Sequence, residues 1–199
     1  MAGIGLYGVY YAKETSAGTS GVVYQGAEMM GKAISATFEP GEANNNPLYA
    51  NNAIAENDGL AATGGTLTLT IDHLSYAAAA DLFGLSTQLE QGTVTGVEYG
   101  ANAPSHVGVA FVRWNQLNDN RSIYEAVILA DVVFSLPSDS YQTMGESVEW
   151  QTVELEGTVS GQAYSGAPWM KKKTFTTQEA AIAWITENFA VPTQYIDRT

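Results

Sequence analysis

Alternating apolar and polar residues predict that this chain folds mainly into β-strands. The pattern is clearest at residues 66–72, where Leu67, Leu69 and Ile71 share one face and three threonines occupy the other. That arrangement is typical of a strand with one buried face. Noisier alternation predicts further strands at residues 6–12, 21–25, 33–38, 93–99, 107–114, 123–134 and 148–159, the last with a bulge near residue 151. Several strands joined by Gly, Asn and Asp turns favour a sandwich or barrel.

The longest strand-like segment, residues 123–134, is apolar on both faces. If it is fully extended, side chains alternate, so Glu125 and Asp131 lie on the same face. Strands that are apolar on both faces are usually buried on both sides. We therefore expect a neighbouring copy of the chain to cover the second face, while the central strand of an ordinary sandwich is the alternative.

Two helices are predicted from their end signals. Ser75 can cap a short helix over residues 76–83 that Gly84 closes, because glycine tolerates the left-handed C-terminal position. Near the C-terminus Thr176 and Glu179 match a capping box. The apolar residues of this second helix recur at helical spacing, and a proline stops it: Ile182, Ile185, Phe189 and Pro192.

Residues 39–65 form the longest stretch without a regular pattern. The segment is rich in Asn, Gly and Ala, has no Lys or Arg, and far exceeds the usual connection of about 4 to 6 residues. We expect one domain over residues 1–199 with this stretch as a working loop and a C-terminal segment with its helix from about residue 157. Pro47 supplies a preset turn, and Leu48 and Tyr49 an apolar anchor. The alternative is a mobile surface loop.

The charge balance limits the possible partners. The chain has 21 acidic and 8 basic residues, a formal net charge of −13 and an isoelectric point near 4.3. Affinity for DNA or RNA comes mainly from Lys and Arg neutralising phosphates, so this balance argues against a protein that holds nucleic acid, but not against one that lets it pass. No cysteine is present. Neither a secretory signal nor a transmembrane helix is expected from the sequence.

No constellation predicts catalysis, a cofactor or a metal. The two histidines, His73 and His106, lack ligand spacing, and nucleotide-binding loops and nucleophile elbows are missing from the sequence. Glu154 and Glu156 flank Leu155, as expected for a solvated face rather than a glycosidase pair. The cationic run of residues 171–173 is expected to be solvated or to contact the acidic surface of another subunit.

The order of several segments resembles the major tail proteins of long-tailed, non-contractile bacteriophages, which stack as rings to form the tail tube. The resemblance spans about residues 31–161. It is carried by the segments GKAISATFEP, NPLYANN, GGTLTLTIDHLSYAAAADLFGL, APSHVGVAFVRW, the long strand ending in FSLP, and GESVEWQTVELEGTVSG. The family commonly has an acidic residue after the Leu-Tyr-Ala triplet, whereas this chain has Asn51 and Asn52.

The resemblance implies a mainly β, sandwich-like or barrel-like tube module with flanking helices, whose strands neighbouring subunits complete into a closed barrel. It implies a structural virion protein without enzymatic activity, assembled in the host cytoplasm as hexameric rings. Tape measure, tail terminator and tail-tip proteins would be its partners, and double-stranded DNA would pass through without sticking.

Residue roles follow from that reading. The loop with Pro47, Leu48, Tyr49 and Asn51 is the candidate for ring stacking, and the candidate lumen-facing acids are Asp72, Glu125 and Asp131. The competing hypothesis is a carbohydrate-binding or adhesin-like β-sandwich, in which tryptophans and tyrosines stack on sugars. A glycosidase is the third.

Overall fold

The computed structural model describes residues 2–18, 21–41, 45–50, 53–59, 64–138, 151–160 and 168–190. Within these ranges the chain is mainly β, as predicted, with thirteen strands and two helices. The elements are β1 (Ala2–Gly18), β2 (Gly21–Tyr24), β3 (Glu28–Gly31), β4 (Ala33–Pro40), β5 (Asn45–Ala50), β6 (Ala53–Gly59), β7 (Gly64–Ile71), α1 (Tyr76–Phe83), β8 (Ser86–Glu90), β9 (Thr93–Glu98), β10 (Val107–Gln116), β11 (Ser122–Phe134), β12 (Val153–Ser160), β13 (Met170–Phe175) and α2 (Gln178–Ala190).

One large antiparallel sheet organises the molecule. Its strand order is β2-β1-β10-β11-β12-β7-β4, with β3 beside β1 and β13 beside β11. Lys32 alone separates β3 from β4, yet β3 pairs with β1 and β4 pairs with β7. The pairing therefore runs from β1 round to β7 and returns to β1 through this nearly continuous strand. We call this ring of strands the closed sheet.

The main core fills the inside of the closed sheet. The alternation predicted for β7 is confirmed, because Leu67, Leu69 and Ile71 are fully buried. Helix α1 packs into the same core through its buried alanines, Leu82 and Phe83. Its predicted ends are also confirmed. Ser75 Oγ accepts a hydrogen bond from the Ala78 N–H at 3.2 Å, and the left-handed Gly84 closes the helix.

Helix α2 covers the outer face of β11. Ala126 and Ile128 are buried there against Ala181, Ile185 and Phe189, which form a second core. The expectation that a neighbouring copy covers this face is therefore wrong, since the C-terminal helix of the same chain does so.

The start of α2 differs by one residue from the prediction. The hydroxyl of Thr177, not of Thr176, accepts a hydrogen bond from the Ala180 N–H at 3.3 Å. Both threonines precede the first turn, so the sequence located the helix end correctly but not the side chain that caps it.

A bulge interrupts the alternation of β11. Val107 pairs with Val132, and Val109 pairs with Leu129, so β11 has one residue more than β10 at this point. Leu129 and Val132 consequently share the main core. The prediction of strict alternation is wrong beyond this bulge.

The stretch 39–65 is not an irregular loop in its described part. Glu39 and Pro40 end β4, Gly64 and Gly65 begin β7, and β5 pairs with β6 as an antiparallel hairpin. This hairpin is a two-stranded sheet separate from the closed sheet. This hairpin was not predicted from the sequence, because Asn, Gly and Ala, in which the stretch is rich, all have low strand propensity.

Candidate functional site

The predicted stacking residues lie on the β5–β6 hairpin. Pro47 is opposite Asn57 and Leu48 is opposite Glu56, with a register shift before Tyr49. Asn51 lies outside the described residues. By sequence, residues 45–59 contain two carboxylates and no Lys or Arg. The hairpin is thus an acidic element that pairs with no other described strand.

The path of strands in the main sheet ends at β2 and β4. An end strand has a row of backbone N–H and C=O groups that a strand of another molecule can pair with. Strand β4 is mostly exposed, and the Ile34 side chain is 53% exposed. Among the described strands the closed sheet is closed only where β3 pairs with β1, so β4 keeps a free side, and β2 and β13 also pair with one strand each; these are edges at which the sheet could be extended.

A cleft of about 230 Å³ opens into the closed sheet between β1, β4, β10, β11 and β13. Its walls are largely apolar, with Leu6, Phe38 and Phe111 among them. The charged lining residues are Arg113, Glu125 and Lys172. The cleft therefore contains two of the eight basic residues of a strongly acidic chain.

Glu125 lies in this cleft rather than on an open wall. It is the cross-strand neighbour of Arg113, and Arg113 Nη1 lies 3.8 Å from Glu125 Oε2. Both side chains are partly exposed, so their attraction is modest. As a lumen-facing acid, Glu125 would be partly neutralised by this arginine.

Asp131 lies on the other side of the sheet and is buried. It is only 4% exposed, and its Oδ1 lies 2.7 Å from His106 Nδ1. The bulge in β11 separates it from the face of Glu125. The prediction that these two acids share a face is wrong, and a buried carboxylate does not line an open surface.

Glu14 completes a cluster with His106 and Asp131. One side-chain nitrogen or oxygen from each residue lies within 4.8 Å of the others. The cluster is close to Tyr24, whose pKa burial raises, with the charges of Glu14 and Asp131 acting in the same direction. Sequence reasoning missed this cluster, because its members come from β1, the residue before β10, and β11.

Asp72, the residue after β7, hydrogen-bonds to the backbone of Lys32, the residue between β3 and β4. Its Oδ1 accepts hydrogen bonds from the backbone N–H groups of Lys32 at 2.8 Å and His73 at 2.9 Å. The Lys32 bond is the main cause of a lowered Asp72 pKa, and the His73 contacts also lower it. Of the three nominated acids, Asp72 alone is neither buried nor in the cleft, with 33% of its side chain exposed.

Replacing Asp72 with asparagine is expected to destabilise the fold at pH 7 and to have less effect in acid. Because the folded-state pKa is lowered, the carboxylate contributes stability above the ordinary value of 3.8 and loses it as pH falls through the lowered pKa. Urea unfolding of both proteins at pH 7 and at several pH values below 3.8 measures this difference. A stability gap that does not narrow in acid would contradict the assignment.

The lysine run is divided between the two faces of β13. Lys171 Nζ donates a hydrogen bond to Asn188 Oδ1 at 3.2 Å, and burial lowers the pKa of Lys171. Lys173 Nζ lies 5.3 Å from the ring centre of Phe175, while Lys172 lines the cleft. The expected solvation of the run is therefore wrong for Lys171, whereas contact of the run with another subunit stays a prediction.

The carboxylates of the glycosidase hypothesis and the tryptophans of the carbohydrate-binding hypothesis do not form a recognisable site among the described residues. Glu154 and Glu156 are exposed on either side of buried Leu155, so the predicted solvated face is confirmed. The three described tryptophans are half-buried, and each packs against an aromatic ring. The pairs are Trp114 with Tyr7 at 6.3 Å, Trp169 with Phe38 at 5.6 Å, and Trp184 with Phe175 at 5.8 Å.

No family model matches this chain, and no curated protein is similar to it. Neither described helix is long and apolar enough to cross a membrane.

Proposed function

We propose that this chain is the structural subunit of a phage tail tube that assembles as stacked rings. The order of segments shared with the major tail proteins supports this assignment, and a mainly β protomer with one large antiparallel sheet is compatible with it. The observation that carries the proposal is the β5–β6 hairpin, an acidic element that forms a sheet of its own. This hairpin pairs with no other described strand, so we assign it a contact with a neighbouring subunit.

Within a ring, the edge strands β2 and β4 would pair with those of adjacent subunits. Pairing of this kind removes exposed edges and would close a barrel around a lumen, with six copies as the resemblance implies. Completion of the barrel by strands of neighbouring subunits is what the resemblance implies, but the sequence also led us to expect this closure to cover the outer face of β11. Its driving force is pairing at free edges rather than cover for the outer face of β11, which α2 supplies within the chain.

Between rings, the acidic hairpin of one subunit would enter the cleft of a subunit in the next ring. The cleft offers Arg113 and Lys172 to the carboxylates of residues 56 and 58, and apolar walls to residues 48 and 49. A head-to-tail contact of this kind does not close, so rings continue into a filament. Its length would then be set by partners such as the tape measure, tail terminator and tail-tip proteins.

The charge of the assembled tube would keep DNA mobile. Six chains of −13 give a ring of about −78 formal charges, and a wall of like sign repels phosphates. Among the nominated acids, Asp72 remains the candidate for this wall. The product would be a virion component, assembled in the host cytoplasm, through which DNA slides during ejection.

Electron microscopy of concentrated protein, together with size-exclusion chromatography, tests the proposal. Rings of uniform diameter, alone or stacked, are the expected result. A protein that remains monomeric at every concentration, and also in the presence of tail-tip proteins, would refute it. A monomer that binds glycans would instead favour the carbohydrate-binding hypothesis, for which the packed tryptophans give no support.

A further inference from the structure

We propose that Glu14, His106 and Asp131 form a binding site for a divalent transition-metal ion. One ligand atom from each residue lies within 4.8 Å of the other two. The three residues come from β1, from the segment just before β10, and from the bulge of β11. An ion at this site would tie the base of the β1–β2 hairpin to the closed sheet. The proposal does not depend on the tail tube assignment.

The carboxylate of Glu14 is incompletely satisfied by the described residues. Its Oε2 atom exposes less than 1 Å² and has no hydrogen-bond partner within the described part of the chain. The Tyr24 hydroxyl, although close, donates to the Ala130 carbonyl at 2.5 Å. A buried carboxylate oxygen without a partner costs free energy, and a bound cation would remove that cost.

Asp131 brings a second negative charge to the same place. Its side chain is 5% exposed, and its described partner is His106. Two adjacent carboxylates with one imidazole leave negative charge uncompensated whether or not the imidazole is protonated. The negative potential at the cluster therefore favours binding of a doubly charged cation.

The ligand types indicate which metals fit. One imidazole nitrogen with two carboxylate oxygens suits Zn²⁺, Co²⁺ or Mn²⁺ better than Mg²⁺ or Ca²⁺, which prefer oxygen ligands alone. Ligand bonds of about 2.1 Å place tetrahedral ligands about 3.4 Å apart, so the side chains need to move only slightly. The His106 side chain is 59% exposed, so solvent water can complete the coordination.

The chain also contains a matched control for this site. His73 Nδ1 lies 3.1 Å from Asp72 Oδ2, which repeats the His–Asp pairing at the surface. His73 is 71% exposed, and no third ligand joins that pair among the described residues. The two histidines therefore separate binding at the three-residue cluster from weak binding to any exposed imidazole.

The test is a titration of the full-length, metal-free protein with Co²⁺, followed by visible absorption, and with Zn²⁺, followed by calorimetry. One equivalent is expected to bind, with Mg²⁺ competing poorly. His106→Gln and Glu14→Gln should each weaken affinity at least about tenfold, because even indirect partners of a metal commonly contribute that much. His73→Gln should bind like the wild type.

Thermal denaturation gives a second readout that does not require measurable binding in the variants. Without metal, Glu14→Gln should melt at a higher temperature than the wild type, because it removes an uncompensated buried charge. With Zn²⁺ the wild type should gain more than Glu14→Gln does. Failure of the wild type to bind Co²⁺ or Zn²⁺ at millimolar concentration, or binding that His73→Gln weakens as much as His106→Gln, would overturn the site.

Discussion

Replacing Phe189 with alanine is expected to lower the free energy of unfolding by about 3–5 kcal/mol, as for other buried aromatic residues. Phe189 is 1% exposed, and its ring lies 5.0 Å from that of Tyr24 in a T-shaped contact. It also packs directly on the β10 backbone, because a Cβ built on Gly108 would lie 2.6 Å from the Phe189 ring. Urea unfolding followed by circular dichroism measures the loss.

A control in the same helix isolates the effect of burial. Glu187 is exposed on α2, so Glu187→Ala should change stability by no more than about 0.5 kcal/mol. If Phe189→Ala does not fold, Ile185→Val should still cost about 0.5–1.5 kcal/mol at the same interface. Equal, small effects of all three variants would show that α2 does not cover β11.

The interface between α2 and β11 also shows what a pattern of apolar residues in the sequence cannot determine. The apolar character of β11 on both faces correctly predicted that both would be buried. It could not identify the covering element, because an amphipathic helix and a second subunit satisfy an apolar face equally well. The apolar residues of α2 were recognised in the sequence, but nothing in their spacing says which strand they contact.

Features that depend on residues close together in the sequence were predicted correctly. The alternation of β7 and the two ends of α1 depend on side-chain periodicity, a serine hydroxyl and a glycine at positive φ, all of which a short segment determines. The bulge of β11 was not predictable in this way. It depends on the register against β10, and it moved Asp131 from the predicted face into a buried cluster.

The candidate sites also differ in whether one segment or the pairing of several strands determines them. Composition identified the stretch that contains the β5–β6 hairpin, because length and lack of positive charge are properties of one segment. The cleft requires five strands to come together, and the metal-site cluster joins Glu14 to two residues more than ninety positions further along the sequence. Neither could be predicted until the strand pairing was known.

Reversing the charge of the hairpin is expected to abolish tube growth while leaving the protomer folded. In Glu56→Lys/Asp58→Lys, attraction between the hairpin and the cleft of a neighbour becomes repulsion of Arg113 and Lys172. Electron microscopy should show single rings or free subunits, and circular dichroism should be unchanged.

Two further variants decide whether that loss is specific to the hairpin and the cleft. Glu154→Lys/Glu156→Lys makes the same change in net charge on the exposed face of β12 and should still form tubes. Adding Lys172→Glu to the hairpin variant leaves the Arg113–Glu125 pair intact, gives the cleft a carboxylate for the new lysines and should restore stacking at least in part. Loss of tubes in the β12 variant would attribute the effect to net charge. Normal tubes from the hairpin variant would remove the hairpin from the contact between rings, because a repulsive pair at the centre of an interface is not compatible with stacking.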